Sequence, residues 1–294
     1  MQIIDFFGLE QTMSFELIRV LIALAGTAIG TYYDLFNKKN VPEKFLYLFV
    51  AVAFLINIFD PNILIYSAVI GIIVFVAFYI LYKLGQVGGA DGYIMTAIAL
   101  ALPVQPKIFL IFEGINLLPF IFNVFVISGL SFIFYVLIKS IPIVLKNFKL
   151  NKQNLIGVLL IAGIYLFFLF LLINSQAIIF FDIGRYIIFI TFLMLFLMYY
   201  TLFKETINES MIEFVEPKKV EIEDILAIEK MDKNLVQKYG LSRLVTKEMY
   251  ERIKKIKGKK IAVYKHLPPF VPHILIGLIA AILIGDLTQL LIGL

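Results

Sequence analysis

The sequence predicts an all-α polytopic membrane protein of about eight transmembrane helices (six to eight), with a small cytoplasmic α+β domain before the last span. Three observations lead there. The 294 residues are 61% hydrophobic and 16% charged, with mean hydropathy +0.96, against roughly 45–50% apolar and about 25% charged in soluble domains. Several windows reach or approach the about 20 apolar residues that cross about 30 Å of hydrocarbon. Lysine and arginine are spread unevenly over the breaks between those windows.

Polar breaks divide the chain into candidate spans 15–33, 44–59, 63–82, 91–103, 119–138, 154–174, 186–203 and 268–291. Residues 1–14 carry no basic residue, and no small-residue cleavage site follows the first span. The first helix is therefore expected to stay in the mature protein. Asp60-Pro61-Asn62 separates spans two and three. The fourth is short, because Pro103 and Pro106 follow Leu102 closely; it either starts within the membrane face or continues in broken form through 108–118. The break between spans six and seven lies at Asn174-Ser175-Gln176 or at 182–185. The expected organisation is a membrane core over 1–138 that holds both Asp34 and Asp91, additional helices over 139–203, a soluble domain over 204–267 and a final span over 268–294.

With both termini outside, the inside segments 34–44, 83–90, 139–153 and 204–267 hold 3, 1, 4 and 15 Lys/Arg, and only Arg19, Lys107 and Arg185 fall elsewhere. That is the sense of the positive-inside rule, and 8 against 3 remain if the long last segment is discounted. This orientation puts Asp34, at the end of span one, and Asp91, at the start of span four, on the cytoplasmic side.

The segment 204–267 holds 15 basic and 11 acidic residues. It reads as a helix near 220–238, a second near 246–257 with Thr246 as its cap, and a short strand over 260–265 after Gly258. Glu221, Asp224 and Glu229 fall near the start of the first helix and Lys233 and Lys238 near its end, as the helix dipole favours.

The chain has no cysteine and two histidines, His266 and His273. Disulfides and thiolate ligands are thereby excluded, and a histidine-built metal site is not expected. The net charge of +5 follows from topology, so no nucleic-acid partner is implied. No cofactor or metal is expected, and no repeat or nucleotide-binding loop is present.

Acids at or within the hydrocarbon are costly, so each needs an account. Asp34 either ends a helix before Asn37-Lys38-Lys39-Asn40 or, sharing a face with Gly26 and Gly30, points toward protein. Asp91 follows Gly88, Gly89 and Ala90 and precedes Gly92 and Tyr93. It either caps the next helix or sits where small residues leave room for an extended peptide. Gly88, Gly89, Ala90 and Gly92 are thus expected substrate-binding positions, with Tyr93 beside them. Two carboxylates close enough to share a proton can divide the work of hydrolysis: one activates water and the other serves the substrate carbonyl. Asp286, toward the outer end of the last span, is the spare acid, expected to pair with Arg19 or Arg185. Both histidines, flanking the start of that span, are expected to be structural.

Four local features carry a resemblance: Asp34 followed by Val41-Pro42; Gly88-Gly89-Ala90-Asp91; Pro119-Phe120 leading into a span; and Pro269-Phe270-Val271-Pro272 leading Leu275-Ile276-Gly277 into the last. The chain resembles the archaeal prepilin and preflagellin (prearchaellin) peptidases, relatives of the type IV prepilin leader peptidases and GxGD-type aspartyl proteases. The resemblance implies Asp34 and Asp91 as catalytic residues. It also implies substrates with class III signal peptides, pilin-like or archaellin precursors whose short basic leader is removed at the cytoplasmic face. Three departures stand out: Ala90 in place of the motif glycine, Tyr93 where a basic residue is frequent, and two spans beyond the usual six. The zinc domain of many bacterial relatives has no counterpart in a cysteine-free chain.

Competing classes are a cation- or proton-coupled transporter, for which broken helices near acids are also suited, a filament-assembly scaffold, and a signal-peptide-peptidase-like protease. The last has its first acid after a tyrosine in mid-span, whereas Tyr33-Asp34 lies at a span's end.

Overall fold

The structure, a computed structural model, describes residues 13–37, 41–110, 119–147, 151–174, 183–256, 258–265 and 267–285. It is mostly helical. In chain order the helices are α1 (Glu16–Phe36), α2 (Glu43–Leu55, continued by a 3-10 turn Ile56–Phe59), α3 (Pro61–Lys83), α4 (Gly89–Ala101), α5 (Phe120–Lys146), α6 (Lys152–Asn174), α7 (Ile183–Met211), α8 (Lys233–Tyr239), α9 (Lys247–Ile253) and α10 (Val271–Ile284). Five of them, α1, α3, α5, α6 and α7, are long and apolar enough to cross a membrane, which fits a multi-pass membrane protein. Helices α2, α4 and α10 are apolar but shorter.

The short fourth helix is explained by its position. It packs against α1, α2, α3, α5 and α10, and every residue from Ile94 to Ala101 is buried. A helix sheathed in protein has no lipid thickness to match. It ends at Ala101, and the chain continues through 102–110 without helix, because Pro103 and Pro106 supply no amide donors. Gln105 anchors this stretch by donating from Nε2 to the carbonyl of Ala281 at 3.1 Å. The proposed continuation through 111–118 lies outside the described residues.

Helix α10 closes the core between α1 and α5. An added Cβ on Gly277 would clash with Ser128 Oγ and stand 2.8 Å from the Ser128 amide nitrogen and the Val124 carbonyl oxygen of α5, so glycine permits backbone contact there. Helices α6 and α7 pair with each other and reach the core through α5, where Ser140 Oγ and Tyr199 hydroxyl lie 2.9 Å apart. Apolar side chains such as Leu159, Leu160 and Ile164 on α6 remain exposed, the composition a lipid-facing helix requires.

Two helices continue past the expected span ends. α5 runs past 138 to Lys146, and α7 past 203 to Met211. Charged residues such as Lys139, Lys204 and Glu205 end an apolar run, but they are good helix formers and do not end a helix. The divisions expected at 138 and 203 therefore fall inside helices.

After α7 the chain turns directly into β1 (Ile212–Val215), which pairs antiparallel with β2 (Ile261–Tyr264) in the register Ile212 to Tyr264 and Val215 to Ile261. A small core of Val220, Leu226, Val245, Met249, Ile253, Ile261 and Val263 holds this α+β unit together. The expected strand is present, and Thr246 caps α9 by accepting from the Met249 amide at 3.3 Å. The expected helix over 220–238 is not. Only Lys233–Tyr239 is α-helical, preceded by a 3-10 turn at Ile228–Lys230 and by isolated bridges from Ile225 to Leu244 and from Leu226 to Val263. Backbone pairing to β2 outcompetes local helix propensity there. Asp224 accordingly bonds the Glu221 amide and Lys265 Nζ, each at 2.7 Å, and serves no helix dipole.

Candidate active site

Helix α1 buries one stripe, in which Ala23, Gly26 with Thr27, Gly30 and Asp34 recur at helical spacing. An added Cβ on Gly26 would fall inside the Phe49 ring of α2. One on Gly30 would lie 2.8 Å from Ile94 Cδ1 of α4 and 3.5 Å from Val271 Cγ1 of α10. The Gly30 contacts draw three helices, α1, α4 and α10, together one turn before Asp34. The shared face of Gly26, Gly30 and Asp34 points inward, the second of the two alternatives the sequence left open.

Asp91 sits one turn from the same junction. Helix α4 begins at Gly89 with Gly88 as its N-cap, so Asp91 is the third helical residue and not the cap. Its carboxylate reaches back and accepts from the Gly88 amide at 2.9 Å, satisfying one of the donors a helix start leaves unpaired. Ile94, which meets Gly30, lies three residues on.

Helices α1 and α4 run in opposite directions past this contact, so Asp34 and Asp91 emerge at the same end. Each is only 7% exposed, and the two carboxylates interact electrostatically. Asp34 Oδ2 accepts from the Val271 amide at 3.2 Å, at the start of α10. Each acid therefore has one oxygen tied to the amino-terminal end of a helix, where backbone donors and the helix dipole favour a carboxylate.

Of the five expected peptide-binding positions, the structure brings Gly88, Gly89 and Ala90 to the approach to Asp91. Gly88 is exposed, and Gly89 and Ala90 are partly buried. Gly92 and Tyr93 face elsewhere. An added Cβ on Gly92 would stand 3.0 Å from Phe78 Cβ, so this glycine serves the packing of α4 on α3. The Tyr93 ring packs at 5.5 Å on Tyr47 of α2 and 5.8 Å on Phe75 of α3.

Sequence reasoning did not assign the Val271 amide a role. Its signal was present in Pro269-Phe270-Val271-Pro272, since Pro272 cannot donate and Val271 opens the helix. The end of α3 and the loop after it also touch the α+β unit. Tyr82 hydroxyl donates to Glu223 Oε1 at 2.9 Å, and Gly85, at φ 66°, lies against the Arg243 side chain.

Arg19 pairs within the core: its Nη2 lies 3.9 Å from Asp60 Oδ2. Asp286, its expected partner, lies outside the described residues, as does His266. His273 Nδ1 is 2.9 Å from Ser131 Oγ and packs on Phe132 and Tyr135, the structural role expected of it. Among the described residues no three His, Asp or Glu side chains converge as a metal site would need.

Residues 20–138 match the family model of the type IV leader peptidase family. This segment belongs to that family. It runs from the first turns of α1 into α5 and contains Asp34, Asp91 and the glycine-rich approach to Asp91, but not α10. No curated protein and no solved structure matches the chain. The family indicates a peptidase.

Proposed function

We propose that this protein is a membrane aspartyl endopeptidase that removes short basic leaders from pilin-like or archaellin precursors, with Asp34 and Asp91 as the catalytic residues. The observation that carries the reading is the burial of two interacting carboxylates at the meeting of α1 and α4, each held by a helix-start amide. One carboxylate takes a proton from water as the oxygen attacks the scissile carbonyl, while the protonated partner donates to the carbonyl oxygen. Collapse of the tetrahedral gem-diol breaks the C–N bond: the first acid returns its proton to the leaving amine, and the partner carboxylate takes back a proton from one of the gem-diol hydroxyls. The exposed Gly88 and its small neighbours give the extended segment of the precursor a path beside Asp91.

The proposed topology has eight spans, with the site at the cytoplasmic face and both termini outside. It is supported by the Lys/Arg distribution and by the α+β unit, which meets the Tyr82–Gly85 loop at the aspartate end. Within that unit Asp224, Asp232 and Glu251 are paired to Lys265, Lys259 and Lys254, and Glu209 at the end of α7 is paired to Lys230. The excess of 15 basic over 11 acidic residues in 204–267 favours contact with anionic lipid headgroups over capture of a basic leader.

The test is cleavage of a pilin-like precursor by purified protein in detergent. The parent should release the leader, Asp34→Asn and Asp91→Asn should each fail while accumulating normally, and Asp286→Asn should cleave. Activity kept by either of the first two variants removes the assignment.

A further inference from the structure

We propose that Arg19 is a positioning residue: the hydrogen-bonded cluster it organises at the far end of α1 and α4 sets the register in which Asp34 faces Asp91. Arg19 is completely buried. Its Nε donates to the Ser14 carbonyl at 2.8 Å, and its Nη1 to Asn57 Oδ1 at 2.6 Å and to the Ala101 carbonyl at 3.2 Å. Asp60 Oδ2 balances the charge and accepts from the Ser14 amide at 2.9 Å. Asn57 Nδ2 and Ser67 Oγ donate to the Leu100 carbonyl at 2.9 and 3.0 Å. The last carbonyls of α4, which a helix leaves without internal partners, are thus held by donors from α1, the turn after α2, and α3.

The same two helices carry both acids. At about 1.5 Å per residue, Arg19 stands about 22 Å along α1 from Asp34, and Ala101 about 15 Å along α4 from Asp91. The Gly30–Ile94 contact joins the helices between these ends. One contact alone is a pivot. The second, at Ala101, removes sliding and rotation, so the pair of contacts fixes where the carboxylates meet. A buried charge is a costly way to fill space, and apolar residues would pack as well. What arginine adds is a rigid fork of donors that binds several elements in one geometry.

The activity arm of the test rests on the peptidase reading; the distance arm does not. The chain has no cysteine, so cysteines introduced at Leu35 and Ala90 take a unique spin-label pair across the site. Arg19→Lys keeps the charge and loses the fork. It is expected to shift or broaden the inter-label distance distribution and, without labels, to lower kcat about 10- to 100-fold with KM for the precursor unchanged. Ser67→Ala, which deletes one donor to Leu100, should move the distribution less and in the same direction, and it decides the matter if Arg19→Lys does not accumulate. An unchanged distribution overturns the clamp, whatever happens to cleavage. A changed distribution in a protein whose parent cleaves no precursor supports the clamp and removes the peptidase reading.

Discussion

Asp34 and Val271, separated by 237 positions, are joined by a hydrogen bond of 3.2 Å from the Val271 amide to the Asp34 carboxylate. The bond brings the end of the first long helix to the start of the last described one. Val271 is the first residue of α10, where an amide has no partner within its own helix, and Pro272 beside it has no amide to offer. The acid thus satisfies an orphan donor and is oriented by it. Although the family match ends at residue 138, the surroundings of Asp34 are completed by a helix well beyond it.

This bond separates two roles of Asp34. An asparagine keeps a carbonyl oxygen that can accept from Val271, whereas leucine leaves the buried amide without an acceptor. Asp34→Leu should therefore be less stable than Asp34→Asn by about 1–3 kcal/mol, read as thermal unfolding in detergent, while neither variant cleaves precursor. Equal stability would show that the bond contributes nothing to folding.

The glycines before Asp91 are not equivalent. An added Cβ on Gly88 would lie 3.2 Å from Asp91 Oδ2, whereas one on Gly89 would meet the Tyr82 ring at an ordinary 3.4 Å. Gly88→Ala should displace the carboxylate and lower kcat about 10-fold or more, and Gly89→Ala should stay near the parent rate. Steady-state cleavage kinetics check this, and the reverse order would overturn it.

The helical spans were legible because apolar length and charged breaks are local properties, and the spans around α1, α3 and α6 agree with the described helices within a few residues. The aspartates were legible as rare acids beside small residues. What the pattern could not show was partnership across long separations. Asp34 with Val271, and Arg19 with Asn57 and Asp60, depend on how helices pack, and packing leaves no period in the sequence. The helix expected over 220–238 failed for a related reason. Its charges suited a helix dipole, but the backbone of 225–226 found better partners in Leu244 and Val263. Tyr93 shows the limit of reading by proximity, since two residues along a helix turn a side chain to the opposite side.

The small residues of the membrane core make graded predictions. Gly277 sits against Ser128 and Val124 backbone, which cannot move aside as a side-chain tip can, whereas an added Cβ on Gly129 meets nothing within 4 Å. Gly277→Ala should cost about 1–3 kcal/mol or more by forcing α10 away from α5. Gly129→Ala should be neutral or stabilising by up to about 1 kcal/mol, because alanine is the better helix former. Thermal unfolding of both variants in one detergent compares them directly. Loss of stability in Gly129→Ala alone would contradict the packing described.

The α+β unit carries an acid-sensitive cap. Asp232 is held below the usual carboxylate range by its hydrogen bond to Lys259 and by the Asn234 amide, at 2.8 and 3.0 Å. It caps α8 with that same carboxylate. A folded-state value below the unfolded one, about 3.9, means that the contribution to stability is fully present above that pH and is lost as pH falls through the folded value. Amide hydrogen exchange in α8 should therefore accelerate as pH is lowered below about 4, after correction for intrinsic exchange. Asp232→Ala should already exchange faster at neutral pH and show less of the acid dependence. Should the variant and the parent keep equal protection in α8 at neutral pH, the cap contributes nothing, and the pairing with Lys259 is only a surface contact.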